Sequence, residues 1–288
     1  MRVCYNGNNL IQEVFALLGA IYGDIIGSYY EVHCTKDYDF PFQKDSTFTD
    51  DSVLTTATAK AILLHPEPIT RWELHQRCRE YAIQYQQYFS WFPHAGYGNL
   101  FVSWASSRSM RKQKSYGNGG AMRVIPVGWA YDSMEQVLLQ AKASCICTHN
   151  HHEAIRGAQA VACAVWLARM GADKAQIRSE LSKRFHYPLA FRLDDIRPLY
   201  EFDSRTNYSV PPAIVCFLES TDFESAVRNA VSLGGDADTM ACIAGGIAEA
   251  YYRDIPDFVR KFCDLKIDSS IRAVIREFEE KFLRLAKN

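Results

Sequence analysis

Apolar and small residues recur at helical spacing along most of the chain, and nowhere do several β-branched runs alternate around hairpin turns. Residues 11–30 are apolar and glycine-punctuated. Gly19, Gly23 and Gly27 stand on one helical face, a stripe along which a second helix can approach closely. Residues 240–252 are small and apolar on nearly every side, the pattern of a helix buried in the middle of a fold, and residues 53–64 read as another helix rich in small residues. Thr70-x-x-Glu73 predicts a capping box that opens a helix to about Gln87, and Ser133-x-x-Gln136 and Thr221-x-x-Glu224 predict two more. Residues 153–170 read as a helix ending at Gly171, and residues 172–185 and 269–286 as amphipathic helices. Residues 96–100, 112–120 and 190–210 read as irregular connections. Residues 32–48 form a long polar, aromatic loop of the kind that often carries function. The expected architecture is all-α, a compact orthogonal bundle of roughly ten or more helices. No low-complexity linker and no internal repeat divides it, so residues 1–288 are expected to form a single domain.

Two of these helices begin with the same chemistry. Leu233-Gly-Gly-Asp-Ala-Asp-Thr-Met240 sets Asp236, Asp238 and Thr239 in a tight turn before a core helix, and Thr49-Asp50-Asp51-Ser52 precedes the other. Any one of these residues is explained by helix capping. A cap needs only one such residue, however, and two carboxylates stand at each site. Charge in a core is costly unless it is paired or binds a metal. The helix N-terminus attracts carboxylates but opposes a cation. Four clustered carboxylates would outweigh that effect, and would repel one another until a cation arrived. Thr49, Asp50, Asp51, Asp236, Asp238 and Thr239 together offer six hard oxygen donors, a set suited to Mg²⁺ or Mn²⁺.

Composition narrows the class without changing this picture. The chain has 288 residues, 48% of them hydrophobic, and a formal net charge of -1. That is ample for a sizeable core, and no long basic run advertises nucleic acid. The longest apolar run near the N-terminus is too short to span a membrane, and no signal peptide is expected. Nine scattered cysteines suggest reduced thiols and a cytoplasmic protein. Between Lys114 and Pro126, three glycines and an asparagine precede a helix, where backbone N–H groups can cradle a phosphate. The run fits neither a Walker loop nor a dinucleotide fingerprint, and an ordinary turn explains its composition equally well. His149, His151 and His152 do not share a helical face as metal ligands would. One is expected to line a pocket and the others to be partly exposed, while Trp91, Trp104 and Trp129 are expected in the core.

Five blocks in one order carry a resemblance. They are Gly23-Asp24-x-x-Gly27-x-x-x-Glu31, Thr49-Asp50-Asp51, Gly117-Asn118-Gly119-Gly120-Ala121-Met122-Arg123, Thr148-His149 and Gly234-Gly235-Asp236-Ala237-Asp238-Thr239. Together they resemble the ADP-ribosylglycohydrolase family, which includes dinitrogenase-reductase-activating glycohydrolases and serine-ADP-ribose hydrolases. The resemblance implies an all-α fold around a binuclear site for two Mg²⁺, Mn²⁺ in some members. It places Thr49, Asp50, Asp51, Asp236, Asp238 and Thr239 at the metal-ligand positions, and Glu31 and Asp238 at the catalytic ones. It implies further that Ser115, Tyr116, Gly117, Asn118, Gly119, Gly120 and Met122 bind the substrate diphosphate and ribose, with His149 on the adenosine side. The stretch from Gly27 to Glu31 and the run from Ser115 to Gly120 look closer to the serine branch than to the arginine branch. Two departures stand out: Lys114 occupies a position where glycine is usual, and no aromatic stands near Met110, where that branch stacks adenine.

The expected activity is metal-dependent hydrolysis of the glycosidic bond between ADP-ribose and a modified target, by a monomer with no membrane or nucleic-acid partner. Such chemistry passes through an oxocarbenium-like transition state, for which Glu31 would be the general acid/base. The alternatives are a catalytically silent ADP-ribose binder or structural member of the family, and a two-metal phosphoesterase that cleaves the diphosphate.

Overall fold

The computed structural model describes residues 16–283 and the short segments Tyr5–Asn6 and Asn9–Leu10, and the regular structure is almost entirely helical. Fifteen α-helices follow one another among the described residues: α1 (Leu18–Val32), α2 (Asp50–Leu64), α3 (Leu74–Trp91), α4 (Asn99–Ser106), α5 (Gly119–Met122), α6 (Ile125–Ala130), α7 (Met134–Cys145), α8 (His152–Arg169), α9 (Lys174–Phe185), α10 (Leu193–Ile196), α11 (Thr206–Leu218), α12 (Phe223–Val231), α13 (Ala237–Tyr252), α14 (Asp257–Asp264) and α15 (Ser269–Phe282). The two short N-terminal segments pair as antiparallel strands. The all-α expectation holds.

The glycine stripe sets the centre of the fold. A Cβ on Gly23 would stand 2.1 Å from the Ala241 carbonyl oxygen, and one on Gly19 or Gly27 2.5 Å from that of Gly245 or Ala237. Helix α1 therefore lies backbone to backbone on α13, a distance no other residue permits. This crossing fixes where the carboxylates go. Asp24, Gly27 and Glu31 share one face of α1. Because Gly27 touches Ala237 and Asp238, Asp24 and Glu31 flank the first turn of α13. Helix α13 also packs on α8, α11 and α12, and α2 packs on α1, α3 and α15. Helix α13 is buried on nearly every side, as its composition predicts, and α2 is buried nearly as completely. At its other end, α1 begins beside Glu249 of α13. Burial raises the pKa of this carboxyl to about 8, against the pull of the Gly19, Leu17 and Leu18 N–H groups.

Several expected boundaries shift for local reasons. The described part of the first apolar segment is helical from Leu18, and residues 11–15 and 284–288 lie outside the described residues. The Thr70–Glu73 pair forms, with Glu73 accepting from both the N–H and the hydroxyl of Thr70 at 2.8 Å. The helix starts only after it, however, at Leu74, and runs on to Trp91. Ser133 caps α7 as expected. The Thr221 box slips by one residue: Asp222 is the cap and closes a capping box with Ser225. Residues 99–106 form α4, whose first two residues fall in the expected 96–100 connection and whose remainder had no expected element, and α11 carries Pro211 and Pro212 inside it. Trp104 and Trp129 are buried, but Trp91 at the end of α3 is exposed.

Candidate metal centre

Thr49 starts α2 as its N-cap, its side chain accepting from the Asp51 N–H at 3.3 Å. Capping thus accounts for one residue of the trio and leaves the carboxylates free. Asp236 occupies the N-cap position of α13 without making a cap bond, while Asp238 accepts from the Thr239 N–H at 2.8 Å. The two helix starts meet side by side. Thr239 Oγ1 donates to Asp51 Oδ2 at 3.1 Å, and Thr49 Oγ1 lies 3.4 Å from Asp238 Oδ2. Two groups of carboxylates form, Asp24 with Asp51 and Asp238, and Glu31 with Asp236 and Asp238. Within each group the ligand atoms lie within 4.8 Å of one another. The groups share Asp238. Asp50 lines the same cavity but belongs to neither tight group.

Asp24 was not singled out as a site residue from the sequence. It is fully buried and accepts from Thr49 N at 2.9 Å, Thr49 Oγ1 at 2.6 Å and Ser52 N at 3.0 Å, with the Ser52 hydroxyl as a further donor. One carboxylate of α1 thereby pins the first turn of α2. The Gly23-Asp24 pair was visible in the sequence, but its partners lie 25 and 28 residues away. Asn118 holds the other helix start, donating from Nδ2 to Asp236 Oδ2 at 2.8 Å and to Ser209 Oγ at 3.1 Å.

The donor set fits a hard divalent cation. Every converging group is a carboxylate or hydroxyl oxygen, and the buried Asp51 Oδ1 has no hydrogen-bond partner among the described residues. Burial pushes Asp50, Asp51 and Asp238 well above the usual carboxylate range, and their negative neighbours add to it. Asp236 and Asp24 are raised by burial too, but the hydrogen bonds they accept oppose the shift. Glu31, exposed along its chain, has its carboxyl partly withdrawn from water. It is raised first by that burial and then by Asp236 and Asp24.

These directions set a sign. An acid whose pKa is raised on folding binds more protons in the folded state, so metal-free stability must fall as pH rises through and above the ordinary carboxylate range. A cation cancels the repulsion, and its stabilising effect grows over the same window. Melting temperatures in chelator should therefore be lower at about pH 7.5 than at about pH 5.5, and the increment from Mg²⁺ larger at the higher pH. Equal increments at the two pH values would contradict a repelled carboxylate cluster.

The acidic cluster lines a cavity of about 360 Å³. Ser115, Gly117, Asn118, Gly119, Met122 and His149 line it along with Glu31, Asp50, Asp51, Asp236, Asp238 and Thr239. Tyr116 and Gly120 do not. The Tyr116 ring is exposed and meets His151 edge-on at 5.8 Å, and Gly120 is buried against Cys145. The glycine-rich loop is tied on both sides: Lys114 bridges to His149 and Gly117 to Arg205, and Asn118 N donates to Ser204 O at 2.8 Å. The helix that follows, α5, is a single turn, so it supplies little of the dipole expected from the sequence. His149 is neutral; burial and then Arg123 lower its pKa to about 3. His151 and His152 are less buried, as expected. Met110 lies in a different cavity. Phe101 and the exposed Phe202 line the acidic one instead. Phe202 comes from the irregular 190–210 connection, where no periodicity marks it.

Among the described residues, no helix is long and apolar enough to cross a membrane. A sequence model described as ADP-ribosylglycohydrolase matches residues 14–287. The chain is 28% identical over 326 aligned residues to ADP-ribosylhydrolase ARH3 of Homo sapiens, covering 86% of this chain and 88% of that protein. It is 30% identical over 170 residues to the ADP-ribosyl-[dinitrogen reductase] glycohydrolase of Rhodospirillum rubrum, covering 54% of this chain and 53% of that protein. A solved structure titled "ADP-ribosylglycohydrolase-related protein complex" superposes with a TM-score of 0.68 over 92% of this chain and 95% of its own, at 21% identity, and so shares the fold.

Proposed function

The chain belongs to the ADP-ribosylglycohydrolase family, and from that membership we propose that its acidic cavity holds two divalent cations and hydrolyses the bond between the ribose of ADP-ribose and an oxygen of the target, a serine side chain above all. The protein is a hydrolase that releases ADP-ribose from ADP-ribosylated targets. The observation that carries the assignment to this cavity is that two groups of carboxylates sharing Asp238 meet at it, and the glycine-rich loop lines the same cavity. Thr49, Asp50, Asp51, Asp236, Asp238 and Thr239 would hold Mg²⁺, with Mn²⁺ able to substitute, and Asp24 would keep Thr49 in place. When bound, the cations supply positive charge that orients ribose hydroxyls and lowers the pKa of water. The preference for serine rests on the stretches from Gly27 to Glu31 and from Ser115 to Gly120.

The chain's own groups divide the remaining work. Glu31 stands at the mouth, at the end of α1, where its carboxyl can move a proton to or from the reacting oxygen and remain in reach of water. Ser115, Gly117, Asn118 and Gly119 run along the diphosphate, and His149 backs them as a neutral ring. Phe202 offers the face on which the adenine stacks, in place of the missing aromatic near Met110. The eight described cysteines are all free thiols, which supports a reducing compartment, the cytoplasm. The working unit is taken as one chain acting as a single domain.

The activity is tested by mass spectrometry of the products from matched serine- and arginine-ADP-ribosylated peptides. Free ADP-ribose with unmodified peptide, faster from serine, is the expected outcome. Release of AMP would point to a phosphoesterase, and no release at all to a silent binder. The subsite assignments are tested by calorimetry with ADP-ribose. A Cβ on Gly119 would lie 2.9 Å from the His149 ring. Gly119→Val should therefore weaken binding about tenfold or more, on the scale of an overpacked core. Phe202→Ala should lose a comparable factor. Both variants should keep the wild-type melting response to Mg²⁺. Unchanged affinity in either would remove that residue from the site.

A further inference from the structure

A second cavity, of about 610 Å³, shares no lining residue with the acidic one. Its wall includes His75, Arg79, Met110, Lys112, Cys78 and Cys147. Lys112 and Cys147 are the chain neighbours of Gln113 and Thr148, which line the acidic cavity, so one thin segment of wall separates the two. Cys78 comes from α3 and Cys147 from the turn after α7, and both line this one cavity, where each thiol shifts the titration of the other, although 69 positions separate them in the sequence (147 − 78).

Next to this pair lies a charge without an evident counter-charge. Arg123 is fully buried. Its Nη2 donates to Ser144 O at 3.0 Å and Thr148 Oγ1 at 2.8 Å, and the guanidinium lies 4.0 Å from the centre of the Tyr85 ring. Among the described residues, Nε and Nη1 have no hydrogen-bond partner, and no ion pair brings a carboxylate to the guanidinium. A guanidinium cannot shed its proton, so a buried one calls for an anion. The group nearest to supply one is Cys147, whose Sγ lies 3.8 Å from Nη2 and, as a thiol, donates to Ser144 O at 3.4 Å. Burial would raise the Cys147 pKa, but its interaction with Cys78 and the charge of Arg123 outweigh it and bring it below the ordinary thiol value. The same contacts lead into the substrate site. Thr148 Oγ1 is 2.7 Å from His149 Nδ1, and the His149 ring supports Gly119.

We propose that Cys147 is the thiolate counter-ion of Arg123 and that it forms with Cys78 a hydroperoxide-responsive thiol pair, whose closure to a disulfide loosens the ADP-ribose site. The Cys147 thiolate attacks one peroxide oxygen and the O–O bond breaks. Cys147 becomes a sulfenic acid, and the other oxygen leaves as an alkoxide or hydroxide that takes a proton from water. The Cys78 sulfur then attacks the sulfenic sulfur, the S–O bond breaks, and the Cys78 proton leaves with the hydroxyl as water. Two thiols are oxidised and one hydroperoxide is reduced. The disulfide is neutral, so Arg123 loses its counter-charge and its hold on Thr148 and His149 is disturbed. The effect on ADP-ribose rests on the function proposed above.

The test uses the Mg²⁺-loaded protein, hydrogen peroxide at about one equivalent, non-reducing peptide mapping, and calorimetry with ADP-ribose before and after. The expected result is a linked peptide pair holding Cys78 and Cys147. ADP-ribose affinity should fall about fivefold or more, the lower range of coupling between sites, and return on reduction with dithiothreitol. Cys78→Ser should bind ADP-ribose like wild type when reduced and form no link after peroxide treatment, while dimedone traps a sulfenic acid at Cys147. Absence of the linked pair in wild type, or oxidation of the exposed Cys34 ahead of Cys147, would overturn the thiol pair. A linked pair with unchanged affinity would overturn the coupling. If the reduced protein fails to bind ADP-ribose, the functional reading fails, while the peptide map still decides the chemistry at Cys78 and Cys147.

Discussion

Asp238→Asn is expected to erase the response to divalent cations and to leave turnover below about a thousandth of wild type. The side chain stands where the two groups of carboxylates meet, so its charge acts on both. Asparagine keeps the shape and an oxygen to accept from the Thr239 N–H, a bond of 2.8 Å in the wild type, but carries no charge. The loss in turnover is on the scale seen when one electrostatic element of an active site is removed, about 10²–10³, enlarged here because two subsites depend on one group. In the wild type, a cation at 100 times its Kd should stabilise the fold by about 2.7 kcal/mol, a melting shift of roughly 5 °C or more. In Asp238→Asn that shift should vanish. Without metal, the variant should melt no lower than wild type, because one buried negative charge has been removed from a crowded set. A variant that still gains several degrees from Mg²⁺ would show that Asp238 is not the shared ligand.

Glu31→Gln should lower turnover by roughly 10² or more, a typical contribution of a general acid/base, with ADP-ribose bound within a few-fold of wild type. Glu31 lies at the last turn of α1, just before the loop that leads to Ser46, and its carboxyl reaches the group formed by Asp236 and Asp238. Glutamine preserves size and much of the hydrogen bonding, so the experiment isolates the proton. It also separates two roles. If Glu31 moves a proton, the variant binds cations normally and turns over slowly. If Glu31 were chiefly a ligand, cation affinity would fall with turnover. Near-normal turnover would exclude it from catalysis.

How far the sequence foretold this arrangement depends on how local each signal is. The close approach of a second helix to α1 was legible because glycine recurs at every fourth position, but its partner was not: the carbonyls of Ala237, Ala241 and Gly245 in α13 occupy the space the glycines leave. The doubled Asp and the adjacent Thr at the starts of α2 and α13 were legible because capping explains only part of them. Asp24 was quoted but given no task, since its value lies in bonds to Thr49 and Ser52 that no local pattern encodes. Phe202 stayed hidden for a like reason: it reaches the cavity from an irregular stretch. Helix α4 escaped notice because it is only eight residues long and Gly98 gives its start no side-chain cap. At Thr221 the pattern was read one residue early, because Asp222 is the stronger cap and Ser225 completes the box. Prolines 211 and 212 hid the start of α11, whose stability comes from burial on α8, α12 and α13 rather than from propensity.

The central claim is that the cavity lined by Asp51, Asp236 and Asp238 is a two-cation site. Equilibrium dialysis of metal-free protein against Mn²⁺, with the bound metal counted by atomic emission, tests it most directly. Two Mn²⁺ per chain are expected in the wild type, and fewer in Asp238→Asn. A wild-type chain that binds none, or binds equally many after the substitution, would contradict it.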